Sequence, residues 1–192
     1  MPLASVLFIS MQPASVGHVY RVTNHAERLR ELGFRVLVLE PPGAAAAIAA
    51  LPNLQAVIVF RPLDQALFHV WKENTSLRRI PLLVDVDDLT FDPQLLDRGD
   101  WAYWRHLDET SRQQWQQRFL VQRQLVLESD GAIVSTEPLA EAVQRLGRSA
   151  WVCQPISVKK CLCLKRFMAA RQTSPDVASP TPPGCCWLPC RC

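Results

Sequence analysis

Cysteine is absent from the first 152 residues of this 192-residue chain, and lysine occurs there once, at Lys72. All seven cysteines lie in residues 153–192, so disulfides and thiolate metal sites are excluded from the larger segment. Charge changes at the same point: residues 1–152 carry 15 basic and 17 acidic side chains, a net of −2, whereas residues 153–192 carry 6 and 1, a net of +5. We therefore predict a domain over residues 1–152 and a tail over residues 153–192.

The chain also lacks long apolar runs and a signal sequence. No apolar stretch approaches the roughly 18 residues that cross a bilayer, and no Lys or Arg precedes the first apolar segment, residues 3–9. We predict a cytoplasmic protein without a transmembrane segment, and peripheral contact with a membrane stays open. Neither segment has a basic stripe with interleaved aromatic residues, so a nucleic-acid partner is not predicted.

Glycine is scarce, with seven in the chain, and none forms a G-x-G-x-x-G fingerprint or a P-loop. Binding of a dinucleotide or a nucleoside triphosphate by this domain is therefore not predicted. What the sequence does contain is a regular alternation of apolar strand-like runs with amphipathic helical segments. Short loops join them, which favours right-handed βαβ crossovers and a parallel sheet covered on both faces. The predicted fold is an α/β, Rossmann-like domain.

The apolar runs and the helical periodicity place the individual elements. Residues 101–128 form one long predicted helix, with Asp100 as its cap and Trp101, Trp104 and Trp115 on its mostly apolar face. Thr136 is the predicted cap of the last helix. The predicted strands are residues 5–10, 34–39, 56–60, 80–86, 131–135 and 150–152, and the other helices are residues 20–33, 44–51, 63–77 and 136–146.

Three carboxylates mark the fourth predicted strand, at Asp85, Asp87 and Asp88. The carboxyl ends of parallel strands are where loops build ligand sites in open α/β sheets. Neighbouring carboxylates raise each other's pKa, so we expect a positive partner: a metal ion, an Arg, or backbone N–H groups. Loop capping by these acids is the structural alternative.

Gly17 lies in the loop that is predicted between the first strand and the first helix, with His18 at its apex and Arg21 in the first turn. A glycine there lets the backbone approach a ligand, and the helix start with Arg21 favours an anion. His25 is interpreted as a surface or capping residue. Arg61, at the end of the third strand, is predicted to pair with Asp85, or to contact a phosphate or a sugar hydroxyl.

The Asp85-Val86-Asp87-Asp88 segment permits several functions. As an Asp-x-Asp motif it would hold Mg²⁺ or Mn²⁺ beside a nucleotide diphosphate. As a haloacid-dehalogenase-like phosphatase it would use Asp85 as nucleophile and Asp87 as acid/base, with Ser135 or Thr136 holding the phosphoryl group. That second pattern is incomplete, because residues 131–152 contain no lysine and no second acidic pair, and position 89 is Leu. A non-catalytic interaction module that docks a partner through the tryptophan-bearing helix is the third alternative.

Four segments carry a resemblance to a known family: VGHVYR (16–21), LRELGFRV (29–36), PLLVDVDDL (81–89) and IVSTEPLA (133–140). Over about residues 3–152 the chain resembles the amino-terminal domain of bacterial glycosyltransferases of the two-Rossmann-domain (GT-B) class, the "group 1" or family-4-like proteins. The most specific parts are the Asp-x-Asp-Asp-Leu strand end and the Ser-Thr-Glu-x-Leu-Ala turn.

The resemblance implies an acceptor-side domain whose Gly17 loop faces an interdomain cleft, with Gly17, His18, Arg21, Arg61, Asp85, Asp87 and Asp88 as cleft residues. It implies a retaining, metal-independent transfer without a bound cofactor. The nucleotide-sugar would be held by a second domain through a Glu-x7-Glu motif. That motif is not found here, so we expect no activity from the chain alone. No catalytic residue is assigned.

The tail has a different composition. Residues 173–184 are rich in Pro, Ser and Thr, and we expect them to be disordered. A zinc site from Cys185, Cys186, Cys190 and Cys192 is disfavoured, because their spacing is not that of paired Cys-x-x-Cys motifs. Cys, Lys and Pro usage all change where the family's linker would begin, at Cys153. We therefore hypothesise that the tail is an out-of-frame translation of a second domain.

Overall fold

The computed structural model describes residues 3–97 and 102–152. These residues form an all-parallel six-stranded sheet in the order β2-β1-β3-β4-β5-β6. The predicted Rossmann-like α/β class is thus confirmed. The strands are β1 (Ser5–Ser10), β2 (Arg35–Leu39), β3 (Leu54–Phe60), β4 (Leu82–Val86), β5 (Gly131–Val134) and β6 (Ala150–Val152).

Helical segments connect the strands and cover both faces of the sheet. Because side chains alternate along a strand, Leu7 and Ile9 of β1 enter one apolar cluster while Val6 and Phe8 enter the other. The helices are α1 (Val16–His18), a π-helical turn (Val19–Thr23), α2 (Asn24–Glu31), α3 (Pro41–Ala50), α4 (Gln65–Leu77), α5 (Gln94–Asp97), a 3-10 helix (Ala102–His106), α6 (Glu109–Glu128) and α7 (Glu137–Arg145).

Two helix starts differ from the predictions. The first helical segment begins at Val16 rather than at residue 20, because the Ser15 hydroxyl accepts a hydrogen bond from the His18 N–H at 3.1 Å. The single long helix predicted over residues 101–128 is wrong. The 3-10 helix ends at His106, and α6 begins after Asp108, whose carboxylate accepts from the Ser111 N–H at 2.7 Å. The predicted cap Asp100 lies outside the described residues.

Hydrogen bonds to the side chains of Asp130 and Thr136 help to position two of the helices. Asp130 accepts from Lys72 Nζ at 2.6 Å and from the Leu82 N–H at 2.8 Å, which ties α4 to the start of β4 and β5. Thr136 caps α7 as predicted, because its side chain accepts from the Leu139 N–H.

The described helices include none that combines the length and the apolar character needed to span a membrane. The predictions for residues 153–192, which include the disordered segment and the disfavoured zinc site, fall outside the described part of the chain.

Candidate functional site

The strand order creates a crevice at the end of the sheet where the strands have their carboxyl ends. The chain leaves β1 toward β2 on one side and later returns to β3 on the other, so the carboxyl ends of β1 and β3 mark a topological switch point. Ligands of doubly wound α/β domains bind in the crevice outside such a point. β4 lies next to β3, which brings the segment after Val86 to the same edge.

Gly17 covers this crevice from the first turn of α1, so its predicted place in an open loop is wrong. A Cβ built on Gly17 would lie 3.0 Å from Phe60 Cζ and 3.4 Å from Asp87 Oδ2. The absent side chain therefore lets α1 pack directly on the end of β3 and on the acidic segment after β4.

His18 also lies in this first helical turn, not at the apex of a loop. Its Nδ1 and the Oγ of Ser10, at the end of β1, are 2.8 Å apart. The His18 side chain is half-buried, and this contact links the helix start to the first strand.

Arg21 lies in the π-helical turn, and its side chain is buried beneath the crevice. The Arg21 Nε donates to Asp85 Oδ1 at 2.8 Å, and the two side chains are 3% and 1% exposed. The pairing predicted for Asp85 with Arg61 is therefore wrong. A π-helical turn has five-residue spacing, and no periodicity in the sequence indicates it.

Asp85 remains electrostatically unusual despite this cation. Burial raises the pKa of the Asp85 carboxyl to about 6, because loss of hydration outweighs the attraction of Arg21. Its second oxygen, Oδ2, accepts no hydrogen bond from a described residue. The Asp85 carboxyl is thus a buried group whose pKa lies above its ordinary value although a cation is bound to it.

Arg61 instead binds Asp87 through two hydrogen bonds. Its Nε donates to Oδ1 at 2.9 Å and its Nη2 to Oδ2 at 2.8 Å, a bidentate geometry that fixes both groups. Arg61 Nη1 donates to Gln12 Oε1 at 3.1 Å, and Asp88 lies 3.8 Å from Nη2. The Arg61 backbone is in the left-handed region, with φ of 48°, which is uncommon for a residue with a Cβ.

His25 also belongs to this region, although it was predicted to be a surface or capping residue. It is buried, and its Nδ1–H donates to the Arg21 carbonyl oxygen at 2.7 Å. Burial, followed by the nearby Arg21 charge, lowers the pKa of His25 to about 4. The burial of His25 could have been predicted from its spacing, because it lies four residues after Arg21 and next to Ala26 on the buried face of the helix.

The acidic side chains are largely engaged by protein donors. Both oxygens of Asp87 accept from Arg61, and Asp88 Oδ1 accepts from the Thr90 N–H and hydroxyl at 3.2 and 2.6 Å. Ser135, considered above as a phosphoryl ligand, donates to the Asp87 carbonyl oxygen at 3.4 Å. Within residues 3–97 and 102–152, no three His, Cys, Asp or Glu side chains are grouped to hold a metal ion.

A small pocket adjoins the crevice on the side of α6. Its volume is about 90 Å³, and its walls come from α6 and from the segments that follow β1, β3 and β4. Trp115, which lines this pocket, was predicted to lie on a mostly apolar helix face, and no pocket was predicted there.

Comparison with solved structures relates the fold to known proteins. The crystal structure of LpCGTa in complex with UDP matches with a TM-score of 0.53 at 11% identity, over 81% of this chain and 55% of that one. The Vibrio cholerae chemotaxis protein CheY4 matches over 86% of this chain and 98% of that one at 14% identity. Its TM-score is 0.40, which is too low to indicate a shared fold. At these identities the likeness shows the fold alone. No family model and no curated protein matches the sequence.

Proposed function

We propose that residues 1–152 form the acceptor-side domain of a glycosyltransferase of the two-Rossmann-domain (GT-B) class. Such an enzyme transfers a sugar from a nucleotide-sugar to a glycan, a lipid or another acceptor. One observation carries the proposal: Gly17, Arg61 and Asp87, which the family resemblance assigns to the cleft, lie together at the topological switch point.

The extent of the fold likeness supports a half-enzyme. This chain spans about half the length of LpCGTa, covering 55% of it, and LpCGTa was crystallised with UDP. UDP is the group that leaves when a UDP-sugar donates its sugar. We propose that a second domain supplies the donor site, and that residues 153–192 are an out-of-frame product of its gene.

An exposed apolar patch beside the crevice is consistent with a covering domain. Val16, Val19 and Tyr20 are 73%, 49% and 53% exposed, and they flank Gly17 and His18 on the helical segment. Large apolar side chains grouped on a surface are typical of an interface. Closure by a second domain over this patch would exclude water from the crevice.

The crevice residues would then divide into two roles. Asp88 is half exposed, and its carboxylate can accept a hydrogen bond from an acceptor hydroxyl. Arg61 and Asp87 hold each other and thereby fix the segment that carries Asp88, while the buried Arg21–Asp85 pair braces the strand beneath. The chain orients the acceptor, and no side chain is assigned to bond breaking.

Nuclear magnetic resonance of the full 192-residue chain tests the acceptor role. We expect millimolar monosaccharides to shift the signals of Gly17, His18 and Asp88, UDP to bind weakly or not at all, and UDP-sugars to undergo no transfer. Asp88→Asn should weaken sugar binding, whereas Glu31→Gln, at an exposed position on α2, should not. Sugar transfer by this chain, or no sugar binding near Gly17, would contradict the proposal.

The second-domain proposal has a separate test in the encoding DNA. We expect one of the other two frames beyond codon 152 to encode a Rossmann-like domain with a Glu-x7-Glu motif. If neither frame does, the out-of-frame origin of residues 153–192 is wrong.

The metal-dependent alternatives have less support, because arginine donors already use three of the four carboxylate oxygens of Asp85 and Asp87. Arg21 bonds Asp85, and Arg61 bonds both oxygens of Asp87. Calorimetry with Mg²⁺ or Mn²⁺ tests this point. Tight metal binding that is lost in Asp85→Ala and Asp87→Ala would favour the alternatives over our proposal.

A further inference from the structure

His25 is a buried histidine to which the proposed function gives no role. Its side chain is 3% exposed, and it lies in α2 one turn after Arg21, whose side chain is buried to the same extent. Burial, followed by the nearby Arg21 charge, lowers the pKa of His25 to about 4, so the ring is neutral at neutral pH. A neutral imidazole has one N–H donor and one acceptor nitrogen.

The contact with a carbonyl group determines which ring nitrogen of His25 holds the proton. Nδ1 lies 2.7 Å from the Arg21 carbonyl oxygen, and because this oxygen can only accept, Nδ1 is the donor. Nε2 is then the acceptor nitrogen, and it is buried without a hydrogen bond to any residue that the structure describes. The bond to the Arg21 carbonyl oxygen therefore sets the orientation of the ring.

The Arg21 carbonyl belongs to the π-helical turn between α1 and α2. At the end of this turn the Asn24 N–H donates to the carbonyl oxygen of Val19, five residues earlier, whereas an α-helix has four-residue spacing. Single π-helical turns within helices are rare and occur frequently at functional sites. The His25 ring holds one peptide group of this turn from inside the domain.

Arg21 is thus held at two points. Its carbonyl oxygen accepts from His25, and its Nε donates to Asp85 Oδ1 at 2.8 Å. Because side-chain conformation depends on backbone dihedrals, a fixed peptide group also directs the Arg21 guanidinium toward β4. Gly17 and His18 immediately precede the turn, so a change in its conformation would move them relative to the ends of β3 and β1.

We propose that His25 is a positioning residue of the crevice: by donating to the Arg21 carbonyl oxygen, it holds the π-helical turn in the form that keeps Gly17 at the crevice. The inference rests on the proposed function, since the crevice is there the acceptor site. The state of the turn can nevertheless be measured without a sugar. A histidine that only fills space in the core could be replaced by an apolar side chain with no change in the turn.

The test compares His25→Asn with His25→Leu in the full 192-residue chain. The two new side chains have nearly the same shape, but only that of Asn has an N–H donor. The domain already contains the contact that His25→Asn would make, because Asn74 Nδ2 donates to the Val70 carbonyl oxygen, four residues earlier, at 2.7 Å. His69→Leu, which replaces a half-exposed histidine of α4, is the control.

Nuclear magnetic resonance of the protein alone monitors the turn, and titration with methyl glucoside and methyl mannoside monitors the crevice. In the wild type we expect His25 in the Nδ1–H tautomer and the Arg21 Nε–H protected from exchange with water. His25→Asn and His69→Leu should keep this protection and the Gly17 signal. His25→Leu should lose the protection, shift the Gly17 signal and bind the glycosides about tenfold more weakly.

The outcomes separate this inference from the proposed function. Loss of the Arg21 protection in His25→Leu but not in His25→Asn would support the positioning role, and absence of glycoside binding would then count against the acceptor role alone. Unchanged Arg21 and Gly17 signals in His25→Leu, or equal losses in both His25 variants, would overturn the positioning role. If His25→Leu does not fold, the wild-type tautomer still tests the inference, because an Nε2–H tautomer would overturn it.

Discussion

Arg21 Nε and Asp85 Oδ1 are 2.8 Å apart in a contact that is almost completely buried. Arg21 belongs to the π-helical turn after α1, and Asp85 is near the end of β4, 64 positions later in the chain. The pair therefore fastens the helical segment that carries Gly17 to the strand that leads to Asp87 and Asp88. Geometry of the crevice depends on this internal link.

The first prediction concerns the stability of this pair. Arg21→Met leaves the Asp85 carboxyl buried without its cation, and we expect a loss of about 3–5 kcal/mol in the free energy of unfolding. The double variant Arg21→Met/Asp85→Leu removes both charges and should recover most of that loss, because each ion no longer has to be dehydrated. Urea unfolding of the two variants measures the difference.

Arg35→Met is the matched control for the pair, since Arg35 is exposed on β2 and should change stability by less than about 0.5 kcal/mol. Equal stabilities for Arg21→Met and the double variant would contradict a coupled buried pair.

The second prediction concerns pH. Native Asp85 has a pKa raised to about 6 from 3.8, so the folded state holds a proton that the unfolded state has released, and stability falls as pH rises from about 4 to 6. Native His25 has a pKa lowered to about 4 from 6.5, so only the unfolded state binds the proton, and stability rises with pH across about 4 to 6.5. The two effects oppose each other in the wild type.

Single variants should separate the two contributions to the dependence of the free energy of unfolding on pH. In Asp85→Asn the His25 contribution remains, and stability should rise between pH 4 and 6.5. In His25→Gln the Asp85 contribution remains, and stability should fall between pH 4 and 6. Each change is on the order of 1–3 kcal/mol, and urea unfolding at several pH values measures it. Parallel slopes in the two variants would contradict the assignment, because all other ionisable groups are common to both.

The strands and the cap of α7 were predictable because their causes are local. β1 begins and ends where its apolar run does, and Thr136 caps α7 because Ser or Thr followed by a helix-forming segment supplies an acceptor for free N–H groups. The break before α6 was not predicted. Asp108 competes for the cap inside an uninterrupted helical pattern, and its hydrogen bond to Ser111 decides the start.

The partners within the site could not be predicted in the same way. Arg61 follows β3, and its backbone N–H does reach the Asp85 carbonyl oxygen at 3.2 Å, as neighbouring parallel strands require. Its left-handed backbone accompanies a side chain that pairs with Asp87, while Asp85 pairs with a residue from a different crossover. Strand order predicts which backbones meet, but side-chain pairing depends on conformations that a sequence pattern does not encode.

The third prediction uses the left-handed backbone of Arg61. Arg61→Ala and Arg61→Gly both remove the ion pair with Asp87, but only glycine relieves the conformation at φ of 48°. We expect Arg61→Gly to be more stable than Arg61→Ala by about 1 kcal/mol, as measured by urea unfolding. Asn53, which lies away from the crevice and has a φ of 50°, gives the control. The free energy of unfolding of Asn53→Gly should exceed that of Asn53→Ala by a similar amount. An Ala variant as stable as the Gly variant at Arg61 would contradict the strain.

The fourth prediction concerns Gly17 and its contact with Phe60. Gly17→Ala places a Cβ 3.0 Å from Phe60 Cζ, so the helix start or the ring must shift, and we expect a loss of about 1–3 kcal/mol. Gly43→Ala in α3 meets only Leu39 Cδ1 at 3.9 Å and should gain about 0.5–1 kcal/mol from helix propensity. Adding Phe60→Leu to Gly17→Ala removes the clashing atom, so the double variant should lose less than the sum of the single losses in urea unfolding. If the losses in the free energy of unfolding from Gly17→Ala and Phe60→Leu were strictly additive, the contact with Phe60 would not be the cause of the Gly17→Ala loss.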